Sequence, residues 1–329
     1  MRDRDQNLTK RCVAAVTRLS SMQGPRLWIG ADGVPLGPGD ATWFRYAGPG
    51  RAAAALPEGP AQPSFGTAVV RLDKAREATH LALAEADARL LPGGHLVLYG
   101  GNDEGIRYFD GRDGFTTLDA GGHGRVLARV SVAPAAPPQV GLPRWRRVRT
   151  ASPAGEARPW VEYPGCFALG GDDEGSVLLV RTLRERPAPV GETLDFGCGP
   201  GFLSAAVRAL APKVRIVSQD RDALALEALR ENVPEAVPLL SERVDAARAQ
   251  ATEGFALIVS NPPFHDGRDR TGAVWAGLVE SAPKRLAPGG ELRLVAQRNV
   301  RIESVLRAHF AQVEALVLTP RFAVWSARR

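Results

Sequence analysis

The chain has 329 residues, a length that is large for one compact domain and comfortable for two. Its composition, 44% apolar and 24% charged, is ordinary for a soluble globular protein, and its interrupted apolar runs exclude a transmembrane helix. The charged N-terminal segment lacks the apolar stretch of a signal peptide, and the three cysteines lack metal-ligand spacing. We therefore expect a cytoplasmic protein with no metal site.

The formal net charge is +6, and arginine supplies nearly all of the positive charge. The planar guanidinium group suits phosphate, so the composition permits an RNA partner. A bias toward arginine throughout a genome would produce the same composition. Both interpretations stay open on composition alone.

The first half of the chain gives few signals. Residues 81–91 have a helical pattern, and residues 90–99, LLPGGHLVLY, read as a turn that leads into a strand. This segment resembles residues 286–294, LAPGGELRL, which favours a second copy of one fold in the first half. The first half has no acidic residue followed by a glycine loop of the catalytic kind, so such a copy would lack a cofactor site.

A proline-rich stretch at 134–143 can neither pair as a central strand nor continue a helix, and we place the domain boundary there. This predicts a first domain over 1–136, a linker over 137–144 and a catalytic domain over 145–329. Residues 144–149 read RWRRVR, a mixture that could hold a phosphate backbone and stack on a base. A solvated strand or linker explains the same residues equally well.

The second half alternates strand and helix patterns, which predicts a parallel sheet covered on both faces. The predicted strands are 192–196, 214–219, one within 239–244, 255–260, 291–296, 313–318 and 322–327, with helices around 203–210 and 226–229, at 271–286 and at 302–310. Only three residues separate the last two strands, so these must pair antiparallel. A parallel sheet that ends in one reversed strand predicts an α/β fold of the class I S-adenosylmethionine (SAM) methyltransferase type, with a Rossmann-like seven-stranded sheet.

A glycine loop lies between the first of these strands and its helix. Asp195 is followed by Gly197, Gly199 and Gly201, and glycine lets the backbone turn tightly and approach a ligand closely. Phe202 stands where a dinucleotide fingerprint would have another glycine. Ligands of open α/β sheets bind at the carboxyl ends of the strands, so we predict that these residues bind a cofactor.

Two further carboxylates are predicted to bind the same cofactor. Asp220 ends the second strand, where a carboxylate can accept hydrogen bonds from both hydroxyls of a ribose. Asp245, after the weakly signalled third strand, could accept from an adenine amino group, and Glu242 is an alternative.

The most specific segment is 260–267, SNPPFHDG, directly after a buried strand. The side-chain oxygen of Asn261 and the carbonyl of Pro262 can accept both hydrogens of a planar amino group, while Pro263 helps to fix the backbone. These bonds favour a tetrahedral nitrogen whose lone pair points at a methyl sulfonium, and Phe264 offers a face for a base. A plain Asn-Pro turn is the alternative. With the glycine loop upstream, the segment predicts methylation of an exocyclic amine.

His265 is a candidate substrate-binding residue. Its imidazole could orient the edge of a base or receive the departing proton. It could equally cap the next helix, and neither role is favoured.

At this point the second half resembles a known family, the bacterial small-subunit (16S) ribosomal RNA guanine-N2 methyltransferases with two tandem methyltransferase-like domains. The matching segments are 163–167, 173–176, 195–201, 260–267, 289–293 and 321–324. The NPPFHDG string is the most specific of them, because NPPY is commoner in enzymes that act on glutamine or on DNA adenine.

The resemblance implies a function for each matching site. SAM is the implied cofactor, with Gly197, Gly199 and Gly201 along its methionine end and Asp220 on its ribose. Residues 261–264 would hold the guanine amine. The implied partner is ribosomal RNA or the assembled small subunit, and the first domain would be a degenerate copy that aids folding and RNA binding.

Other functions stay open on the sequence. The same fold could methylate a guanine of large-subunit (23S) RNA or a protein glutamine. A non-catalytic RNA-binding assembly factor is a third alternative, although such a protein has no need for the Asn261–Phe264 tetrapeptide.

Overall fold

The computed structural model describes residues 2–19, 24–58, 62–132, 140–243, 246–247, 251, 253–262 and 271–329. The chain divides into two compact units. The first comprises Met1–Tyr46 and Gly50–Arg146, and the second comprises Ala47–Pro49 and Arg147–Arg329.

In the first unit, six strands of the described residues form one sheet in the order β2-β1-β3-β4-β6-β5. Its elements are α1 (Arg2–Arg18), β1 (Arg26–Ile29), β2 (Ala41–Trp43), β3 (Phe65–Arg71), α2 (Arg76–Asp87), β4 (Leu90–Gly101), β5 (Thr116–Gly121), β6 (Gly124–Val130) and α3 (Leu142–Trp145). The strand β6 pairs antiparallel with both of its neighbours, and the other pairs are parallel.

In the second unit, seven strands of the described residues form a sheet in the order β11-β10-β9-β12-β13-β15-β14. Its elements are β7 (Arg147–Ala151), β8 (Arg158–Glu162), α4 (Glu174–Glu185), β9 (Thr193–Phe196), α5 (Phe202–Leu210), β10 (Ile216–Asp220), α6 (Ala223–Asn232), β11 (Val237–Leu240), β12 (Phe255–Ser260), α7 (Thr271–Ser281), β13 (Leu286–Gln297), α8 (Ile302–His309), β14 (Gln312–Leu318) and β15 (Phe322–Arg328). Only β15 runs against its neighbours in this sheet, which confirms the predicted seven strands with one reversed.

Four predicted elements differ from the structure. The helix predicted at 81–91 lies earlier, at Arg76–Asp87, because Leu90 already begins a strand. The third strand lies at Val237–Leu240, earlier than the predicted 239–244. The helix predicted at 271–286 ends at Ser281, because Pro283 lies in a 3-10 turn that follows it. The strand predicted from 291 begins at Leu286, since its Pro-Gly-Gly segment is an irregularity in the pairing with β12 rather than a separate turn.

The two sheets share one topology. Removing β11 from the second sheet leaves the order β10-β9-β12-β13-β15-β14, which matches the order of the first sheet strand for strand. The corresponding strands β4 and β13 each have 12 residues and the same Pro-Gly-Gly irregularity. The third residue of β1 is the fully buried Trp28, whereas the third residue of β9 is Asp195. The strand order supports the predicted second copy of the fold.

Helices cover both faces of the second sheet. Along β12, Leu257 and Val259 face one apolar cluster, which includes residues of α4, α5 and α6. Ile258, between them, faces the other cluster, which includes residues of α7 and α8. The unbroken apolar sequence of this strand follows from burial on both sides.

A buried arginine of β13 forms an ion pair within its own strand and also binds the C-terminal end of α4. Arg293 and Glu291 are both almost fully buried, and the Arg293 Nε donates to Glu291 Oε1 at 2.6 Å. The Arg293 guanidinium also donates to the carbonyls of Thr182 at 3.0 Å and Arg186 at 2.7 Å. The Arg186 carbonyl lies just past the last residue of the helix, so Arg293 both neutralises Glu291 and caps the end of α4.

Replacing Arg293 with Met should lower the free energy of unfolding by about 3–5 kcal/mol, because a buried carboxylate loses its main cation. Urea-induced unfolding measures the change. The matched control is Arg181→Met, which breaks an exposed ion pair with Glu185 on α4. This substitution should change the free energy of unfolding by about 1 kcal/mol or less. Equal losses in the two variants would contradict the role given to Arg293.

Candidate active site

Three strand ends meet at one edge of the second sheet. Phe196, the last residue of β9, is the register partner of the penultimate residue of β10 and of the last residue of β12. Gly197, Asp220 and Asn261 follow these partners, and parallel strands present their carboxyl ends at the same edge. The predicted glycine loop, ribose carboxylate and amine-binding amide therefore lie side by side on neighbouring strands, which are spaced about 4.8 Å apart.

The glycine loop requires its glycines for different reasons. Gly197, Gly199 and Gly201 have φ angles of 71°, 53° and 97°, a left-handed region that other residues rarely adopt. At Gly201 a Cβ would also lie 2.5 Å from Leu229 Cδ1, which keeps α6 close to the loop. At Gly197 no atom of the described residues lies within 4 Å of that position, so the backbone there is open to a ligand.

Asp220 holds the loop and keeps capacity for a ligand. Its Oδ2 accepts a hydrogen bond from the Gly199 amide at 2.8 Å, and its Oδ1 accepts from the Asp222 amide at 2.8 Å. The backbone amide of Arg221 also donates to this carboxylate, and the lone-pair capacity that remains can accept from an external donor. Burial, with a smaller contribution from Asp222, raises the pKa of Asp220 to about 6.

Asp195 lies behind the loop. Its side chain is fully buried, and its Oδ2 accepts from both the amide and the hydroxyl of Ser204, at 2.9 and 2.6 Å. The Ser204 hydroxyl also shares a hydrogen bond with the Ser218 hydroxyl at 2.7 Å. Burial raises the pKa of Asp195 to about 7. The carboxyl group thus ties β9 to the first turn of α5, on either side of the glycines.

Asn261 is partly buried and has a fixed carboxamide. Its Nδ2 donates to Asp173 Oδ1 at 2.6 Å and to Ser176 Oγ at 2.9 Å, both at the start of α4. Pro262 follows as a buried residue. The side-chain oxygen of Asn261 is consequently the part of the amide that a substrate can meet.

Four predicted site residues, Pro263, Phe264, His265 and Asp245, lie outside the described residues, and their roles stay predictions. The segment that leads to Asp245 is described as far as Arg243. The Gln219 side chain donates to the carbonyl of Arg243 at 2.7 Å, which holds the segment after β11 beside the end of β10.

Phe167 lies beside the glycine loop, a position that the sequence motif did not reveal. The residue is 48% exposed, and its Cβ lies 3.7 Å from where a Cβ on Gly199 would stand. The next residue, Ala168, has a φ of 58°, which is unusual for a residue other than glycine. Backbone strain of this kind recurs at ligand sites, and Phe167 forms a wall beside the glycine loop.

The arginine-rich segment 144–149 is largely committed to internal contacts. The Trp145 indole donates to Glu85 at 2.9 Å, and Arg149 pairs with Glu162 at 2.9 Å and with Asp172 at 2.6 Å. Of the two interpretations of this segment, these contacts of Trp145 and Arg149 favour a structural role over a grip on RNA.

Metal-ligand clusters of three or more His, Cys, Asp or Glu residues do not occur in the described part of the chain. None of the helices described there combines the length and the apolarity that crossing a bilayer requires.

Comparison with known proteins decides the family. The methyltransferase small domain model matches residues 159–326. A ribosomal RNA small subunit methyltransferase C of Pseudomonas aeruginosa (strain LESB58) is 35% identical over 272 residues, 80% of this chain and 79% of the relative. The chain belongs to the ribosomal RNA small subunit methyltransferase C family.

Other members of this family extend the comparison. The protein of the same description from Cronobacter sakazakii is 40% identical over 179 residues, about half of each chain. The solved structure of the T. thermophilus 16S rRNA N2 methyltransferase RsmC, in complex with AdoMet and guanosine, superposes with a TM-score of 0.76 at 23% identity. It covers 97% of this chain and 92% of its own, and it confirms the class I SAM-methyltransferase fold.

The buried Asp195 should make stability depend on pH. Because the folded protein raises this pKa from 3.8 to about 7, it binds the proton more tightly than the unfolded chain does. The contribution of Asp195 to the free energy of unfolding is then complete below about pH 4 and is lost as the pH rises to about 7. Relative to the wild type, Asp195→Asn should gain stability across that window.

Urea unfolding at intervals from pH 4 to pH 8 measures the difference between the two proteins. Asp113→Asn, which replaces an exposed carboxyl group, serves as the control and should give a nearly constant difference. A constant difference for Asp195→Asn as well would contradict the prediction.

Proposed function

We propose that this protein uses SAM to methylate the exocyclic N2 of a guanine in 16S ribosomal RNA. The observation that carries the proposal is the alignment of Gly197, Asp220 and Asn261 on three neighbouring strand ends. The names of the family members support the RNA, and the guanosine bound to the T. thermophilus enzyme supports the base.

The residues present fit the cofactor. The backbone at Gly197 is open to a ligand, and the Asp220 carboxylate, which ends β10 beside the loop, would accept from the hydroxyls of a ribose. Phe167 would border the cofactor beside Gly199. When bound, SAM supplies an electrophilic methyl group on a sulfonium. Asp195 would not touch the cofactor, because its carboxyl group is buried against Ser204. Its role would be to hold the glycine loop in place.

The residues after β12 would hold the target amine. The Asn261 side-chain oxygen and the Pro262 carbonyl accept its two hydrogens, which directs the nitrogen lone pair toward the methyl group. Phe264 offers a stacking face for the guanine, and Pro263 stiffens the segment. Such positioning of two reactants can supply roughly 7–11 kcal/mol of the rate enhancement. A guanine in paired RNA must first leave its stack, so the RNA structure should matter.

The first unit would serve as a degenerate methyltransferase-like domain that aids folding and RNA recognition. Its sheet repeats the topology of the catalytic sheet, and Trp28 occupies the position that corresponds to Asp195. We keep 1–136 as this domain, 137–144 as the linker and 145–329 as the catalytic domain. An enzyme that acts on ribosomal RNA in a bacterial cell would work in the cytoplasm.

The function is tested by transfer of tritium from labelled SAM to ribosomal RNA of a strain that lacks this gene, supplied both as naked RNA and as assembled small subunits. Digestion should place the label in N2-methylguanosine of 16S RNA. Asn261→Ala should lower transfer by about 100-fold or more, since it removes one of two acceptors for the amine. Its affinity for S-adenosylhomocysteine, measured by titration calorimetry, should stay near that of the wild type. Label in 23S RNA or in protein would refute the assignment.

Cofactor affinity should depend on the ionisation of Asp220. Ribose hydroxyls donate to a carboxylate, and the pKa of this group is about 6, so affinity should be constant above that pH. Below it, each further pH unit should weaken binding by up to about tenfold. Calorimetry with S-adenosylhomocysteine from pH 5 to pH 8 measures this. Asp220→Asn should bind more weakly and lose the dependence below pH 6, whereas Asp195→Asn should retain it. An unchanged slope in Asp220→Asn would show that another group is responsible.

A further inference from the structure

The carboxamide of Asn261 has its orientation decided by its neighbours. Its nitrogen donates two hydrogen bonds, to Asp173 Oδ1 at 2.6 Å and to Ser176 Oγ at 2.9 Å. An ionised carboxylate can only accept hydrogen bonds, so the amide group must turn its NH2 toward Asp173.

This orientation determines what Asn261 presents to a substrate. Both N–H groups are occupied at the start of α4, whereas the Asn261 Oδ1 accepts no hydrogen bond from the residues that the structure describes and can receive an external donor. A flipped amide would set an oxygen against the Asp173 carboxylate and turn two donors toward an incoming amine. An amine that must itself donate would then meet donors, and binding in the reactive geometry would fail.

The acceptors that hold Asn261 are themselves fixed. Asp173 is the N-cap of α4, where its Oδ1 also accepts from the Ser176 amide at 2.8 Å. A Cβ on Gly175 would lie 3.2 Å from Asp173 Oδ1 and 3.4 Å from Phe322 Cε1, so the helix start packs closely on the sheet. At the other end of α4, Arg293 binds the last carbonyls. The helix is therefore anchored to the sheet at both ends.

The residue before the cap is also restrained. Asp172 pairs with Arg149 and accepts from the Ser152 amide at 3.1 Å. These contacts tie Asp172 to β7 and to the residue that follows it. The backbone is therefore restrained directly before Asp173, the N-cap of α4.

We propose that Asp173 and Ser176 are positioning residues, which lock the Asn261 carboxamide so that its oxygen faces the target amine. The inference rests on the proposed function, because it assigns the oxygen to the guanine N2 group. Neither residue needs to touch substrate or cofactor; each acts through Asn261. The segment 173–176 thereby gains a role that its resemblance to the family left unassigned.

Substitution can separate this role from helix capping. Serine is as good an N-cap as aspartate, but its shorter side chain cannot also reach Asn261. Asparagine keeps an oxygen at the same place, which can accept from both the Ser176 amide and Asn261. Asp173→Ser should therefore fold normally and lose the contact, whereas Asp173→Asn should keep both.

Steady-state methylation of 16S RNA by the full-length variants tests the proposal. Asp173→Ser should lower kcat by about 10- to 100-fold, the size of effect expected from a misplaced reactive group, with cofactor Kd and melting temperature near the wild type. Asp173→Asn should restore most of the rate. Ser176→Ala should lower kcat in the same direction, and it carries the test alone if Asp173→Ser fails to fold. The matched control is Glu174→Ser, one position along, whose side chain pairs with Arg321 and not with Asn261.

Wild-type kcat in a folded Asp173→Ser, or in Ser176→Ala when that variant stands alone, overturns the proposal. A loss in Glu174→Ser equal to that in Asp173→Ser also overturns it, since any change at the helix start would then suffice. Failure of the proposed function is distinct, because the wild-type protein itself would then methylate no guanine of 16S RNA.

Discussion

The parallel pairing of β9 with β10 on one side and β12 on the other is the constraint from which the site follows. The chain leaves β9 for one neighbour and later returns to the opposite side, which opens a crevice at the carboxyl ends of the strands. Because Gly197, Asp220 and Asn261 each directly follow a paired strand, their spacing is set by backbone hydrogen bonds and not by flexible side chains. A slip of one residue in either pairing would turn one of these side chains to the other face of the sheet.

The helix α4 connects the site to the rest of the sheet. Its last carbonyls receive the Arg293 guanidinium from β13, and its first residues receive the Asn261 amide from the end of β12. The same carboxylate oxygen of Asp173 serves the helix and the site, so the stability of the helix start and the orientation of the amide are coupled. On this basis the structural core and the chemistry share residues instead of occupying separate layers.

The glycine loop, Asp220 and Asn261 could be predicted from the sequence because each belongs to a local pattern at the end of a strand, and parallel topology brings such ends together. The third strand was misplaced because its sequence, Val237–Leu240, contains a proline, which a sheet tolerates only at an edge such as the one β11 occupies. The contact of Asp173 with Asn261 spans 88 positions and depends on where α4 packs, which no periodicity encodes. The sequence left two interpretations of the arginine-rich segment open, because charge alone does not show that Arg149 pairs with carboxylates of its own chain.

Trp28 restricts which residue the first sheet can hold at one strand position. Its indole is fully buried in an apolar cluster that includes Val69 and Val97, at the strand position that corresponds to Asp195 in the other sheet. An aspartate in its place would leave a large cavity and an unpaired carboxylate among apolar side chains, a change that destabilises by several kcal/mol. A single substitution therefore cannot give the first sheet the buried carboxylate of the second without a large loss of stability.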